Sequence, residues 1–352
     1  LEMPGNTAVN DKKIVEAVRN GELDEALLDR SCERILKVVF DYYDNKKDGV
    51  VFDRDADHEK AVAIAAECAV LLENDGTLPL DGSKKILYIG EYAAAPRYQG
   101  GGSSHINSSK KTSALESAKS KGRNVTYVKG FPAQKDEPLD KAELARAVTE
   151  AKNADVVVIF AGLPDVIESE GYDRANMNMP AAQNELIEAV AAVNSKTVVV
   201  LHNGSPVETP WADDVAAVLE MYLGGQGVGE ATDMILFGDK NPSGHLAETF
   251  PIRVQDNPSY LNFNTDPIKC CYNEGVYVGY RYYDKKMMPV RWAFGHGLSY
   301  TTFELSNLKV SSGKMTDDSV ITVCVDVKNT GSVVGKEVVQ LYVSDLNGNA
   351  DR

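Results

Sequence analysis

The chain predicts an α/β fold with a mostly parallel sheet covered by helices on both faces, and three observations carry that reading. Short β-branched runs recur at 86–90, 125–128, 156–159, 198–201 and 217–221. Helical patterns such as Leu144, Val148, Ala151 and Leu186, Val190, Val193 lie between them. The runs are apolar throughout rather than alternating, so both sheet faces need a cover, which crossover helices supply.

The flanking elements follow from the same periodicities. Leu28, Cys32, Ile35 and Val39 form one stripe of an amphipathic helix. The polar stretch 41–57 reads as a linker, and a second helix is predicted from about His58 to Leu72. Asp75-Gly76 and Pro79 then mark turns. After Pro251 the texture changes: residues 270–300 are rich in Tyr and Gly, and β-runs follow at 305–310, 320–327 and 338–343. These last runs resemble the opening of an immunoglobulin-like sandwich, a fold of about seven strands. Three strands fit before Arg352, so the chain is expected to be part of a longer protein.

Composition excludes several functions. With 43% hydrophobic and 25% charged residues, the chain reads as an ordinary globular protein. A net charge of −15 argues against nucleic acid and anionic membranes, which need a basic face. No apolar stretch is long enough to span a bilayer. The 5 cysteines are odd in number, without C-x-x-C or histidine spacing, so no metal is expected. Cys32 and Cys68 on apolar helix faces, and Cys324 in a strand pattern, read as reduced core residues of a cytoplasmic protein. The Asn-x-Ser/Thr triplets at Asn107, Asn124 and Asn203 read as chance matches, since Asn203 closes a predicted buried strand.

Chemistry is expected beyond the carboxyl ends of the strands, which singles out the loops at 91–109, 163–179 and 202–211. The second contains Glu168-Ser169-Glu170-Gly171-Tyr172-Asp173-Arg174. Two carboxylates on one loop should raise each other's proton affinity, and a cleft wall would add desolvation. Such a group can serve as a general acid. Arg174 is expected to pair with Asp173 or Glu168 rather than Glu170. The competing reading is that Glu168, Glu170 and Asp173 cap a helix starting near Pro180. The glycine-rich run 97–105 has no Gly-Lys-Ser/Thr, and neither it nor 224–229 fits G-x-G-x-x-G, which disfavours a nucleotide-binding reading. His202, His245 and His296 are expected to be structural, as are Trp211 and the tyrosines at 277, 280, 282 and 283.

Several strings together resemble the glycoside hydrolase family 3 β-glucosidases. They are Leu1-Glu-Met-Pro-Gly5, the run 69–80, Arg97-Tyr-Gln-Gly-Gly-Gly-Ser103, Glu168 to Arg174 with Met179-Pro180, and Asn203-Gly-Ser-Pro-Val-Glu-Thr-Pro-Trp211. The runs 241–251, 277–283 and 294–301 continue the order. The resemblance implies the end of a (β/α)8 barrel and a helical linker at 1–57, and an αβα sandwich at 58–265. It further implies a connecting segment at 266–302 and the start of a fibronectin-III-like domain at 303–352. It implies retaining hydrolysis of terminal β-D-glucosyl residues in β-glucosides or short β-linked oligosaccharides. Glu170 would be the acid/base, with Glu168 the runner-up, and Arg97 and Ser103 sugar contacts. The family's nucleophilic aspartate belongs to the barrel, upstream of Leu1, so none is assigned in this chain. No cofactor is implied, the barrel is the expected partner, and a homo-oligomer is compatible. Alternatives are a family 3 β-xylosidase or α-L-arabinofuranosidase, and a non-catalytic carbohydrate-binding fragment.

Overall fold

A computed structural model describes residues 8–132, 137–314, 316 and 318–343; the 1–5 string and residues 344–352 lie outside it. Two compact units divide between Arg54 and Asp55. The first holds α1 (Val9–Arg19) and α2 (Glu25–Asn45). Asp24 caps α2 by accepting the Ala26 N–H at 3.0 Å. The connection therefore begins after Asn45, not at Asp41. No residue of α2 is buried, and Cys32 is exposed, as are Cys68 and Cys324. This corrects the expectation of core cysteines and removes its argument for a reducing compartment. Periodicity predicts which face of an element is apolar, and says nothing of what covers that face.

The second unit opens with α3 (Arg54–Cys68), which stops short of the predicted Leu72 because Val70–Asn74 form strand β1. The sheet continues with β2 (Ile86–Ile89), β3 (Val125–Val128), β4 (Val156–Gly162), β5 (Thr197–His202) and β6 (Ala217–Glu220). The order is β1-β6-β5-β4-β2-β3. All pairs are parallel except β1 with β6, where Val70 faces Glu220. Helices α4 (Ala114–Ser120), α5 (Lys141–Asn153), α6 (Ala181–Ala191) and α7 (Val228–Leu236) cover it.

Successive residues of each strand enter opposite layers of core, as the two-residue strand period requires. Val158, Phe160, Val200 and Leu219 pack with Leu115 and Ala118 of α4 and Ile235 of α7. Val157, Ile159, Val199 and Leu201 pack with Ala147 of α5, Leu186 and Val190 of α6, and Trp211. Trp211 is fully buried and donates its indole N–H to Asn184 Oδ1 at 2.9 Å, the packing role expected of it.

The strand order fixes where a ligand can bind. β3 lies on one side of β2, while β4, β5 and β6 extend the sheet the other way. The chain reverses its direction of growth between β2 and β4, so the loops leaving those strands diverge and open a crevice at their carboxyl ends.

After the sheet come α8 (Tyr280–Lys286) and an antiparallel pair, β7 (Phe303–Val310) and β8 (Val323–Asn329). Residues 338–343 form no strand, contrary to expectation; Tyr342 instead meets Tyr280 edge-on at 5.6 Å. A β-prone run becomes a strand only where an edge accepts its hydrogen bonds. Tyr280 stacks on Phe294 at 5.1 Å and Tyr283 is buried, so these tyrosines pack as predicted.

Phe160, fully buried in the centre of the sheet, tests this core. Phe160→Ala should lower the unfolding free energy by about 3–5 kcal/mol. In urea titrations the midpoint should fall with the slope unchanged.

Candidate active site

The loops after β2, β4 and β5 converge at the crevice. β4 ends at Gly162, whose φ of +148° suits glycine and where a Cβ would fall 2.1 Å from the His202 carbonyl oxygen. This close approach brings the loop after β4 over the end of β5.

Arg97 is the centre of the arrangement. It is 5% exposed and donates from Nε to Asp165 Oδ1 at 3.0 Å, from Nη1 to Glu168 Oε2 at 2.6 Å, and from Nη2 to the Glu168 carbonyl at 2.8 Å. Glu168 accepts two further bonds, from the Gly204 N–H at 2.8 Å and from the Ser205 hydroxyl. Burial pushes the Glu168 carboxyl up. The bonds from Ser205, Gly204 and Arg97, with the Arg97 charge, outweigh burial and leave it below the ordinary range. Glu168 is thus an ionised structural anchor.

Glu170 is placed differently. Its side chain is exposed and accepts the Ser103 backbone N–H. Gly101 and Ser169 form an isolated parallel bridge, and the Glu170 N–H reaches the Gly101 carbonyl at 3.4 Å. Gly102 has φ +86°, and a Cβ there would lie 2.5 Å from the Glu170 Cβ. The glycine-rich loop is therefore the seat of Glu170, and only a bare backbone fits beneath it. Hydrogen bonding by Ser103 holds the Glu170 carboxyl below the ordinary range, against the expectation that Glu168 would raise it. The reason is that Glu168 is already neutralised by Arg97 and water reaches Glu170.

Other expectations divide. Arg97, predicted as a sugar contact, is turned into the protein and holds the loop. Ser103 stays exposed. Arg174 donates to the Pro206 carbonyl at 2.8 Å instead of pairing with Asp173, and Glu168 acts on it only through space. Helix α6 starts after Pro180 with no side-chain cap, so neither glutamate nor Asp173 caps it. Beside Tyr172–Arg174 lies a cavity of about 550 Å³.

A buried polar layer under the crevice escaped the sequence reading. Glu220 is fully buried and accepts the Tyr222 N–H at 2.7 Å and the Asn203 amide at 2.8 Å. Burial drives its proton affinity well up against those bonds. The signal for it was a glutamate closing the apolar run 216–221. His202 is stacked against Phe160 at 6.4 Å, and burial pulls it down to about 4, leaving it neutral and structural as expected. Asn203 is buried too, out of reach of glycosylation. Among the described residues, no group of three or more His, Cys, Asp or Glu could hold a metal ion.

The chain is 51% identical over 356 residues to thermostable beta-glucosidase B of Acetivibrio thermocellus, covering 100% of this chain and 47% of that protein. It is 43% identical over 368 residues to an exo-alpha-(1->6)-L-arabinopyranosidase of Bifidobacterium longum, with the same two coverages. The crystal structure of a GH3 beta-glucosidase from Bifidobacterium adolescentis matches with a TM-score of 0.87 at 43% identity, over 94% of this chain and 48% of that one. The chain thus spans about half the length of the curated relatives it matches. Residues 69–280 match the model of the glycosyl hydrolase family 3 C-terminal domain. The chain belongs to glycosyl hydrolase family 3 and carries that family's C-terminal domain.

Proposed function

We propose that this chain is the acid/base-bearing half of a retaining β-glucosidase, with Glu170 as the proton donor. The observation that carries the reading is a division of labour between two neighbouring carboxylates. Glu168 is held by Arg97, Gly204 and Ser205, whereas Glu170 faces solvent with Ser103 as its hydrogen-bond partner. A group that must exchange a proton with substrate and then with water has to be reachable; a clamped anion is not. Glu170 is therefore favoured over Glu168.

In the proposed reaction Glu170 protonates the departing glycosidic oxygen, then takes a proton from the incoming water. A second carboxylate about 5–5.5 Å away attacks the sugar in retaining enzymes. None is assigned in this chain; in the family layout a barrel domain supplies it. Covering Glu170 with that domain would remove solvent and bring an anion close, and both raise its proton affinity towards that of an acid. The Ser103 N–H, which favours the ionised form, suits the later base step. Ser103, exposed beside Glu170, is assigned to a sugar contact, and Arg97 to holding the loop. Substrates would be β-D-glucosides or short β-linked oligosaccharides, with no cofactor or metal.

A second reading concerns the sugar. One relative of equal coverage is named for an L-arabinopyranoside, so the glycone preference belongs with the half of the protein that contacts the ring. Turnover of a panel of nitrophenyl glycosides by the full-length enzyme separates this reading from glucosidase, xylosidase and arabinofuranosidase.

In the full-length enzyme, Glu170→Ala should reduce cellobiose hydrolysis by about 10²–10⁴-fold. Azide should restore part of the turnover of an activated aryl glucoside. Near-normal cellobiose hydrolysis would rule out the role, and would favour a non-catalytic carbohydrate-binding part.

Acid should release the Glu168 anchor. Its proton affinity is lowered in the folded state, so its contribution to stability is full above the unfolded value, about 4.3. It is lost as pH falls through the lower folded value. The gap in melting temperature between the wild type and Glu168→Gln should thus be widest near pH 6 and close towards pH 3.

A further inference from the structure

We infer that the Asn203-Gly204-Ser205 turn is a positioning element for the proton donor, aiming Glu170 by holding Glu168. The inference rests on the reading of Glu170 as acid/base and goes beyond it, because no residue of this turn touches Glu170.

The geometry has three links. The Asn203 amide is locked from below, its Nδ2 donating to Glu220 Oε2 at 2.8 Å and to the Ser205 carbonyl at 3.0 Å. Its Oδ1 is buried with no hydrogen-bond partner among the described residues, a cost that an apolar residue would avoid. The two bonds from Nδ2 account for a polar side chain there. The turn so fixed presents the Gly204 N–H and the Ser205 hydroxyl to Glu168. A Cβ on Gly204 would stand 3.3 Å from Glu168 Oε2, so the carboxylate lies directly against the turn. Finally, Ser169 joins Glu168 to Glu170 and pairs with Gly101, so movement of the anchor carries the proton donor with it.

Arg97 alone does not fix this loop. It grips Oε2 and the Glu168 carbonyl from the β2 side, while Ser205 grips Oε1 from the β5 side. With both oxygens held from opposite sides, the plane of the carboxylate is set. With the Ser205 bond removed, Oε1 is released and the carboxylate can turn about the Arg97 and Gly204 bonds to Oε2, and a small displacement of an acid from the leaving oxygen is costly in rate.

The test uses the full-length enzyme and aryl β-glucosides graded from 2,4-dinitrophenyl to phenyl leaving groups. Ser205→Ala should lower kcat/KM for the phenyl glucoside by about 100-fold and for the dinitrophenyl glucoside by less than about fivefold, since only a poor leaving group needs the proton. Ser205→Thr, which keeps the hydroxyl, should bring both within about threefold of the wild type. Glu168→Gln should give the same steep dependence on leaving group. Azide should accelerate Glu170→Ala but not Ser205→Ala, whose carboxylate remains in place. A loss of equal size across the series, or none, in both Ser205→Ala and Glu168→Gln would overturn the inference while leaving Glu170 its role. A Glu170→Ala enzyme without leaving-group dependence would instead overturn the reading of Glu170, and this inference with it.

Discussion

A buried guanidinium has five N–H donors and a charge to satisfy, and Arg97 meets that demand by drawing two loops together. It follows β2, yet its partners Asp165 and Glu168 follow β4, and those two strands are where the sheet changes its direction of growth. The crevice expected at such a point would otherwise be an open gap between diverging segments. Of the two partners Glu168 is the more enclosed and Asp165 is half exposed, so removing Glu168 would cost the buried guanidinium its better-shielded counter-charge.

What the clamp leaves over is as informative as what it holds. Glu168 and Glu170 are two residues apart and chemically identical, but one is enclosed by donors and the other seated on bare glycine backbone. Their surroundings, not their type, separate a clamped carboxylate from an accessible one. The glycine-rich run acquires a specific purpose from this. At Gly102 a methyl group would collide with Glu170 itself, so the glycine there is explained by the glutamate that lies on it. No phosphate need be invoked.

Below the crevice the sheet carries a second polar layer. Burial raises the proton affinity of Glu220, and its two carboxyl oxygens accept the Tyr222 N–H and the Asn203 amide. That layer ties the end of β6 to the turn after β5, and so fixes that turn to rigid strands. Rigid backing of this kind is what precise placement of a reactive group requires.

The sequence by itself determined the class of fold, five of the six strands of the sheet and the string that holds Glu170. Strands buried on both faces leave an unbroken apolar run, and the loops that follow them carry glycines and carboxylates in a short string; both are local signals. Strand β1 was not legible, because Val70–Asn74 continues a helical pattern and becomes a strand only by pairing with β6. Burial of the cysteines was not legible either, since an apolar face does not announce its cover. The anchor was the least legible feature of all: Arg97 lies 71 residues from Glu168, and Glu168 lies 37 from Ser205. Only the tertiary structure decided which carboxylate is held and which is free. Proton affinity depends on donors and solvent brought close in space, and those distances are not written along the chain.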